Sequence, residues 1–233
     1  MSQMDRRTWM IGAAAAAAAT SAKGALMTYD YLFLDLPPSE APARDLATRL
    51  TAEGPALKAA GGSVVGQFTP QLGWTSRQAA VLISWTGESA GREAAVSRLT
   101  AAPGVRSARR DRLTATARPA PGDRPPAGGI FVHRWFVIGR TDLDAFVALS
   151  VEGWRDFETR FDTRIFGLFT AAPTPEDTAN GTARLLLITR YGSHGVWEAS
   201  RNPSTEAWAA FTRRQQLTRD TWGASTLLVP PAP

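Results

Sequence analysis

The sequence predicts an α+β fold made of two similar units in tandem, and an internal repeat is the main observation behind this prediction. The segment 65–69 (Val-Gly-Gln-Phe-Thr) recurs at 166–170, and the segment 81–87 recurs at 186–192. The first pair is 166 − 65 = 101 positions apart and the second is 186 − 81 = 105. The four extra residues fall in the polar stretch 173–181, where an insertion costs little. The repeat therefore predicts two copies of one small fold packed as a pair.

The elements of the first unit follow from apolar runs and turn residues. A strand over 29–36 is stopped by Pro37 and Pro38, and Ser39 is expected to cap a helix that is interrupted at Gly54 and Pro55. The remaining elements are strands over 63–69 and 79–86, a helix over 88–101 and a strand over 105–117. The order β-α-β-β-α-β is that of a ferredoxin-like unit. We predict that this first unit covers residues 26–118.

A stretch rich in proline and glycine over 119–129 is predicted to link the units, and the second unit, 130–233, repeats the order. It opens with a strand over 130–138. Asp142 is expected to cap the helix that follows, in which apolar residues recur at helical spacing as far as Phe161. The other elements are strands over 164–170, 183–191 and 221–229 and a helical region over 195–219 that breaks near Asn202 and Pro203.

Residues 1–25 are predicted to be an export signal. Arg6 and Arg7 precede an alanine run over 13–19, and small residues follow, which is the order of a charged start, an apolar middle and a cleavage region. The paired arginines resemble the twin-arginine type of signal. The alternatives are an alanine-rich N-terminal helix of the folded domain and an uncleaved anchor, although the run is shorter and less apolar than an anchor needs. Cleavage after Ala22 or after Ala25 would deliver the protein to the periplasm or outside the cell.

Composition excludes several classes of function. Without residues 1–25 the chain has 26 − 3 = 23 basic and 21 − 1 = 20 acidic residues, a net charge of +3, which is too small to indicate nucleic-acid binding. There is no cysteine, so a hydrophobic core rather than disulfides must hold the fold. No later segment is apolar enough to predict stable membrane insertion. The two histidines, 61 positions apart without a cysteine, predict no zinc site or other metal site.

Short motifs in the second unit resemble the NIPSNAP branch of the dimeric α/β-barrel superfamily. They are Arg134-Trp135-Phe136, Gly167-Leu168-Phe169-Thr170, Arg190-Tyr191-Gly192-Ser193 and Trp197-Glu198-Ala199-Ser200-Arg201. The first unit matches mainly at Gly66-Gln67-Phe68-Thr69.

The resemblance implies that the two antiparallel sheets pack face to face into a barrel with helices outside. Two units in one chain could close such a barrel without a partner, although a homodimer is also possible. The superfamily includes monooxygenases, isomerases and cyclases that act on small, often aromatic compounds without a cofactor, and proteins with no assigned activity. Fold alone therefore transfers no reaction.

Strand alternation places Arg134 with Val132 and Phe136 on one face of the first strand of the second unit, and His133 on the other. The family motif implies that Arg134 points into the barrel and that His133 lies under the helices. A buried arginine requires either an internal salt bridge or an anionic ligand such as a carboxylate, phenolate or enolate. His133 is either a structural histidine or an acid–base group.

Tyr191 shares a face with Leu187 and Thr189, from which it could donate a hydrogen bond to a ligand. The candidate catalytic residues are therefore Arg134, Tyr191 and His133. The predicted lining of a ligand pocket is Phe68, Trp74, Val132, Phe136, Phe169, Leu187 and Thr189, with Trp74 as a possible lid from a turn. Where the family has polar or acidic groups, Val132, Leu187 and Thr189 offer few means of moving a proton.

Three functions remain open on this sequence. The first is an exported, cofactor-free small-molecule enzyme acting on a hydrophobic or anionic compound. The second is a non-catalytic ligand-binding or assembly protein of the cell envelope. The third is a haem protein, since chlorite dismutases are related in fold, and it would require His133 or His194 as an axial ligand.

Overall fold

The structure is a computed structural model that describes residues 27–87, 90–201 and 206–230. The predicted export signal, 1–25, and the start of the second predicted helix at Glu88 lie outside the described residues. None of the helices within these ranges is long and apolar enough to cross a membrane.

Eight antiparallel strands form a closed barrel in the order β1-β3-β2-β8-β5-β7-β6-β4. Their bounds are β1 Thr28–Asp35, β2 Gly62–Leu72, β3 Gln78–Trp85, β4 Ser107–Ala115, β5 Ile130–Gly139, β6 Thr163–Ala171, β7 Thr182–Tyr191 and β8 Thr218–Val229. The helices of the described ranges are α1 Pro42–Ala59, α2 Gly91–Thr100, α3 Leu143–Arg160, α4 Pro175–Ala179, α5 His194–Ala199 and α6 Glu206–Gln216, and a short 3-10 helix, Arg140–Asp142, precedes α3.

This architecture confirms the predicted fold class of two ferredoxin-like sheets in one α/β barrel. Strands β1–β4 form the sheet of the first unit and β5–β8 that of the second, and the sheets are joined at two seams, where β2 pairs with β8 and β4 pairs with β6. A single chain thus closes the barrel. Since closure leaves no free edge strand, no second copy is needed to cover one.

The internal repeat is visible in the strand register, and it corrects one of the two predicted separations. Both β2 and β6 carry a bulge, after which Gly66 lies opposite Leu82 and Gly167 opposite Ile188. The glycines are 167 − 66 = 101 positions apart, as predicted, but their partners are 188 − 82 = 106 apart rather than 105. The sequence match 81–87 with 186–192 was therefore wrong by one residue, because neighbouring apolar residues on a strand look alike in sequence although they face opposite sides.

Three hydrophobic clusters show which strand faces point into the barrel and which pack against the helices. One fills the barrel interior and takes residues from both units, among them Tyr31, Phe68, Phe131, Trp135 and Phe169. The other two lie between a sheet and its helices: Leu32, Ile83 and Leu57 in the first unit, and Val132, Phe136 and Trp154 in the second. Each sheet is thus buried on both faces, which explains why its strands read as nearly continuous apolar runs.

Several boundaries differ from those predicted. Helix α1 begins at Pro42 rather than at Ser39, and it continues through Gly54 and Pro55 without interruption. Ser39 instead accepts a hydrogen bond from the Ala41 amide, 3.0 Å away, in the turn before the helix. Asp142 stands at the predicted N-terminus of α3 but makes no side-chain cap. Helix α4, which begins with a capping box from Thr174 to Asp177, was not predicted within the polar stretch 173–181.

The first unit contains a buried carboxylate held by two arginines. Asp30 has no exposed surface and contacts Arg92 and Arg110 through both of its oxygens, at 2.8–3.1 Å. Arg110 also pairs with the exposed Glu93 at 2.7 Å. A fully desolvated carboxylate is stable only while such partners compensate it, so this network holds α2 against β1 and β4.

We expect the substitution Asp30→Asn to lower the free energy of unfolding by about 3 kcal/mol, because it leaves Arg92 buried without a counter-charge. Chemical denaturation measures this. Glu152→Gln is the matched control: the pair between Glu152 and Arg213 is about half exposed on both sides, and its loss should cost under about 1 kcal/mol. An equal decrease in the free energy of unfolding of the two variants would show that the Asp30 network contributes no more to stability than an exposed ion pair.

Candidate anion-binding site

The two faces of β5 are separated as alternation predicts, but their orientation is the reverse of the one that the family motif implied. Arg134 points away from the barrel interior, into the space between the second sheet and helices α3 and α6, together with Val132 and Leu187. His133 lies inside the barrel, where its ring contacts those of Tyr31 and Phe68. Alternation tells which residues share a face, but not which face the helices cover.

Arg134 is one of three arginines that converge beneath the helices of the second unit, and we call this site the arginine pocket. Arg134 comes from β5, Arg201 lies just after α5, and Arg214 comes from α6. Tyr191, the last residue of β7, lies among them. The remaining lining is mainly apolar: Val132, Trp154, Phe157, Ile165, Leu187, Thr189 and Phe211.

Tyr191 and Arg201 form the polar wall of the pocket. An Arg201 amino group donates to the Tyr191 hydroxyl at 3.2 Å and to Ser200 Oγ at 3.1 Å, and its guanidinium lies over the Trp197 ring at 5.4 Å. The Nε of Arg201 is buried and has no hydrogen-bond partner in the described part of the chain. Because burial removes solvent, the pKa of Tyr191 is raised, although the neighbouring arginines act in the opposite direction.

Arg214 is the most deeply buried of the three arginines, with 9% of its surface exposed. It donates one hydrogen bond, to Ser150 Oγ at 3.3 Å, and its guanidinium packs against the rings of Phe136, Phe146 and Phe211 at 4.7–5.4 Å. Burial, followed by the positive charge of Arg134, lowers the pKa of Arg214 to about 10. It therefore stays charged near neutral pH.

The arginine pocket has no counter-charge among its described lining residues. No Asp or Glu lines it, and within the described ranges none of its three arginines forms an ion pair with a carboxylate. The pKa of Arg134 is lowered by burial and by the charge of Arg201, which is the sign of mutually repelling cations. The internal salt bridge expected as one alternative for Arg134 is thus not formed by the described residues. Three desolvated cations with spare donors form a site that favours an anion.

The space between these side chains is small. The cavity measures about 40 Å³. One water molecule needs about 10–15 Å³ of such space, so the cavity can admit a group of carboxylate size but not a complete aromatic compound. The pocket therefore has room for a small charged group only.

His133 belongs to a different environment. Its Nδ1 lies 2.9 Å from the Tyr31 hydroxyl, and the rings of Phe68 and Trp74 pack on it at 4.5 and 5.5 Å. Burial lowers the pKa of His133 to about 3 and raises that of Tyr31 well above its usual value, so both are neutral near pH 7. In the strand register, Tyr31 lies opposite Leu82 and His133 opposite Ile188, which are equivalent residues. The two units therefore meet inside the barrel through a hydrogen bond between equivalent positions.

The predicted lining residues are divided between these two environments. Val132, Leu187 and Thr189 line the arginine pocket, and Phe136 packs against Arg214. Phe68 and Phe169 are fully buried in the barrel interior. Trp74 lies between β2 and β3 and packs on Phe33 and His133, so it covers the barrel interior rather than a ligand pocket. The structure brings Arg134 and Tyr191 together but does not bring His133 to them.

The histidines do not fit the haem alternative. An axial ligand must direct a free ring nitrogen into a cavity. Nδ1 of His133 is hydrogen-bonded to Tyr31, and its Nε2, which has no partner among the described residues, is buried among aromatic rings and faces neither of the two cavities described. His194 is exposed at the start of α5, and its Nε2 lies 3.1 Å from Ser225 Oγ. Neither histidine lines the arginine pocket. The described residues also contain no group of three or more His, Asp or Glu that could hold a metal ion.

Comparison with solved structures supports the same architecture. A proposed monooxygenase from Lactobacillus acidophilus NCFM superposes with a TM-score of 0.54 at 7% identity, over 87% of this chain and 94% of that one. An anthrone oxidase-like protein gives 0.53 at 14% identity, over 89% and 93%. A variant of the chlorite dismutase from Candidatus Nitrospira defluvii, in complex with cyanide, gives 0.53 at 7% identity, over 89% and 92%.

This chain has the dimeric α/β-barrel fold. In sequence comparison no known protein family and no curated protein matches it. Identities of 7–14% carry the fold and not the chemistry. The resemblance to the NIPSNAP branch, which rests on short motifs, stays a prediction.

Two of the three arginines of the pocket were not identified as site residues from the sequence, although one of them leaves a signal there. Ala207, Ala210, Phe211 and Arg214 recur at helical spacing along α6, which places Arg214 on the buried face of the helix. An arginine at such a position is a candidate for a buried function. Arg201 ends one of the short motifs that resemble the NIPSNAP branch, but its place in the pocket could not be predicted, because it follows α5 in a turn whose position depends on tertiary packing.

Proposed function

We propose that this protein is exported and acts on or binds a small molecule, whose anionic group it holds in the arginine pocket. The observation that carries this proposal is the convergence of Arg134, Arg201 and Arg214 with no carboxylate among the described lining residues. Export rests on the sequence of residues 1–25, and a periplasmic or secreted location follows from it. A homodimer is also part of the prediction, although barrel closure does not require one.

The arrangement suits an enzyme that needs no bound cofactor. In isomerase, cyclase or monooxygenase chemistry on a small compound, negative charge develops on an enolate or phenolate oxygen. Fixed cations in a desolvated pocket stabilise such charge more than water does, because they are already oriented before the reaction begins. Tyr191 is the hydroxyl placed to donate a hydrogen bond to the same oxygen or to return a proton to it.

One observation favours the second candidate, a binding protein without chemistry. No histidine or carboxylate is among the described lining residues of the arginine pocket, since His133 is inside the barrel, and the pKa of Tyr191 is raised by burial. An enzyme would then need Tyr191, or the substrate itself, to move the proton.

Native mass spectrometry of protein purified from its exported pool tests the binding proposal. We expect wild-type protein to carry an additional small mass, released on denaturation, and Arg134→Met protein to lack it. Arg155→Met, at an exposed position of α3, is the matched control and should retain the mass. A mass that is retained in all three proteins would contradict ligand binding by the arginine pocket.

The two candidate functions are separated by incubating the released compound with fresh protein. An enzyme converts it, and Tyr191→Phe should lose conversion while it keeps binding. If the protein only binds the compound, the compound is recovered unchanged after incubation with wild type and with Tyr191→Phe. Conversion that is unaffected in Tyr191→Phe would remove Tyr191 from the chemistry.

A further inference from the structure

A second cavity lies in the first unit, between α1 and β2. It measures about 920 Å³, within the range of about 300–1,000 Å³ typical of small-molecule sites. Its floor includes Leu50, Leu57 and Val64, its far side is Leu228 to Pro230 at the end of β8, and residues 124–128 of the linker form its rim. We call this cavity the first-unit groove.

The corresponding place in the second unit is filled by the chain itself. After β4 the backbone continues along β6, where Thr116 N donates to Leu168 O at 2.9 Å and Leu168 N donates to Arg118 O at 3.1 Å. The Arg118 side chain then lies over the Trp154 ring at 5.2 Å and pairs with Glu158 at 2.7 Å. The side chains of Trp154, Glu158 and Arg118 thus close the gap between α3 and β6.

The first unit has different residues at these positions. The buried positions of α1 and α3 match at a separation of 100: Leu46 with Phe146, Leu50 with Ser150, Leu57 with Phe157. Gly54 therefore takes the place of Trp154, and Lys58 that of Glu158. A Cβ added at Gly54 would meet no atom within 4 Å, so this position of α1 opens directly onto the first-unit groove. The groove exists because the bulky and acidic pair of α3 is replaced on α1 by glycine and lysine.

The charges around the first-unit groove have one sign. Lys58 and Arg124 line it, and no Asp or Glu is among its described lining residues. Arg124 is fixed at the rim by hydrogen bonds to Ser63 Oγ at 2.7 Å and to the Val64 carbonyl. Lys58 forms no ion pair within the described ranges and is exposed at the last turn of α1. An apolar floor with cations at its edge complements an apolar chain that ends in an anion.

We propose that the first-unit groove binds an amphipathic monoanion, an aliphatic carboxylate, with its chain on Leu50, Leu57 and Val64 and its head group at Lys58. This site is separate from the arginine pocket, which lies in the other unit and has no room for a hydrocarbon chain. The substitution Gly54→Trp introduces the residue that fills the equivalent gap in the second unit, and it should occlude the groove. Lys58→Glu introduces the acid found at the equivalent position of the second unit, and it should repel the head group.

Titration calorimetry with dodecanoate, below its micelle concentration, tests the proposal. Wild-type protein should bind it, and both Gly54→Trp and Lys58→Glu should weaken binding by at least about tenfold. Gly54→Ala is the matched control, because a methyl group fits the open space, and it should bind as wild type does. Arg134→Met should leave the affinity of the dodecanoate site in the first-unit groove unchanged, even where it removes carboxylate binding by the arginine pocket, and this separates the two sites. Circular dichroism shows whether each variant folds. If Gly54→Trp does not fold, Lys58→Glu still tests the proposal, because this substitution is at an exposed position.

Three outcomes would overturn the proposal. Equally tight binding of dodecyltrimethylammonium and dodecanoate would show that the charge of the head group has no role. Unchanged binding by the folded Gly54→Trp protein would place the ligand elsewhere. An absence of binding by wild type that is reversed by deleting residues 231–233 would show that the end of the chain, and not a ligand, occupies the first-unit groove.

Discussion

His133 is expected to destabilise this protein on acidification from about pH 6.5 towards pH 3. Burial lowers the pKa of His133 to about 3 in the folded state, against 6.5 for an exposed histidine. Between these values the unfolded chain binds a proton at His133 that the folded chain does not. The free energy of unfolding therefore rises with pH across this window and falls as the pH is lowered. At the low-pH end of this window, a pKa difference of this size lowers the free energy of unfolding by about 4 kcal/mol.

The double substitution Tyr31→Phe with His133→Leu isolates this effect. Replacing both partners of a buried hydrogen bond by apolar groups of similar shape leaves no unsatisfied group, so stability near pH 7 should change little. Urea denaturation at intervals from pH 7 to pH 3.5 should show a flatter decline for the double variant than for wild type. The other titratable groups are the same in the two proteins apart from Tyr31, so the difference between the profiles reports His133. Identical pH profiles would contradict the assignment of a buried, neutral His133.

Arg134→Met is expected to change stability and anion affinity in opposite directions. Arg134 is partly buried, forms no hydrogen bond or ion pair within the described ranges, and is repelled by Arg201. Replacing such a cation by an apolar side chain of similar length should raise the free energy of unfolding by about 1 kcal/mol, because the cost of desolvation and repulsion disappears. The affinity for a small carboxylate should fall by at least about tenfold, since one of three charge-assisted contacts is lost.

Thermal unfolding with and without acetate measures both effects. Acetate binds the folded state, so it should raise the Tm of wild type and leave that of Arg134→Met nearly unchanged. Without acetate the variant should be the more stable of the two. A variant that is both less stable and equally responsive to acetate would show that Arg134 has a structural partner.

The fold could be predicted from the sequence because its determinants are local. Glycine, proline and apolar runs marked the eight strands, and the repeat of Gly66 at Gly167 reflects a β-bulge that both units need. The element boundaries that failed depend on weaker terms. Pro55 removes one helical hydrogen bond, yet the buried Leu57 continues the apolar face of α1 and keeps the helix intact.

The candidate site could be predicted only in part, because it depends on which face of a strand the helices cover. Alternation grouped Arg134 with Val132, and Tyr191 with Leu187, correctly. Their common orientation towards α3 and α6 follows from packing, which strand alternation does not encode. Tyr31 and His133 are 102 positions apart in sequence and lie in different sheets. Their hydrogen bond depends on how the two sheets pack together, and no local sequence pattern predicts it.

The most direct test of the central claim is a calorimetric titration of acetate into the wild-type protein and into Arg134→Met, with Arg155→Met as the matched control. If the arginine pocket is an anion site, wild type and Arg155→Met bind one acetate with the same affinity, and Arg134→Met binds it at least about tenfold more weakly. Equal affinity in all three proteins, or no binding to any of them, would contradict the assignment of the arginine pocket as the functional site.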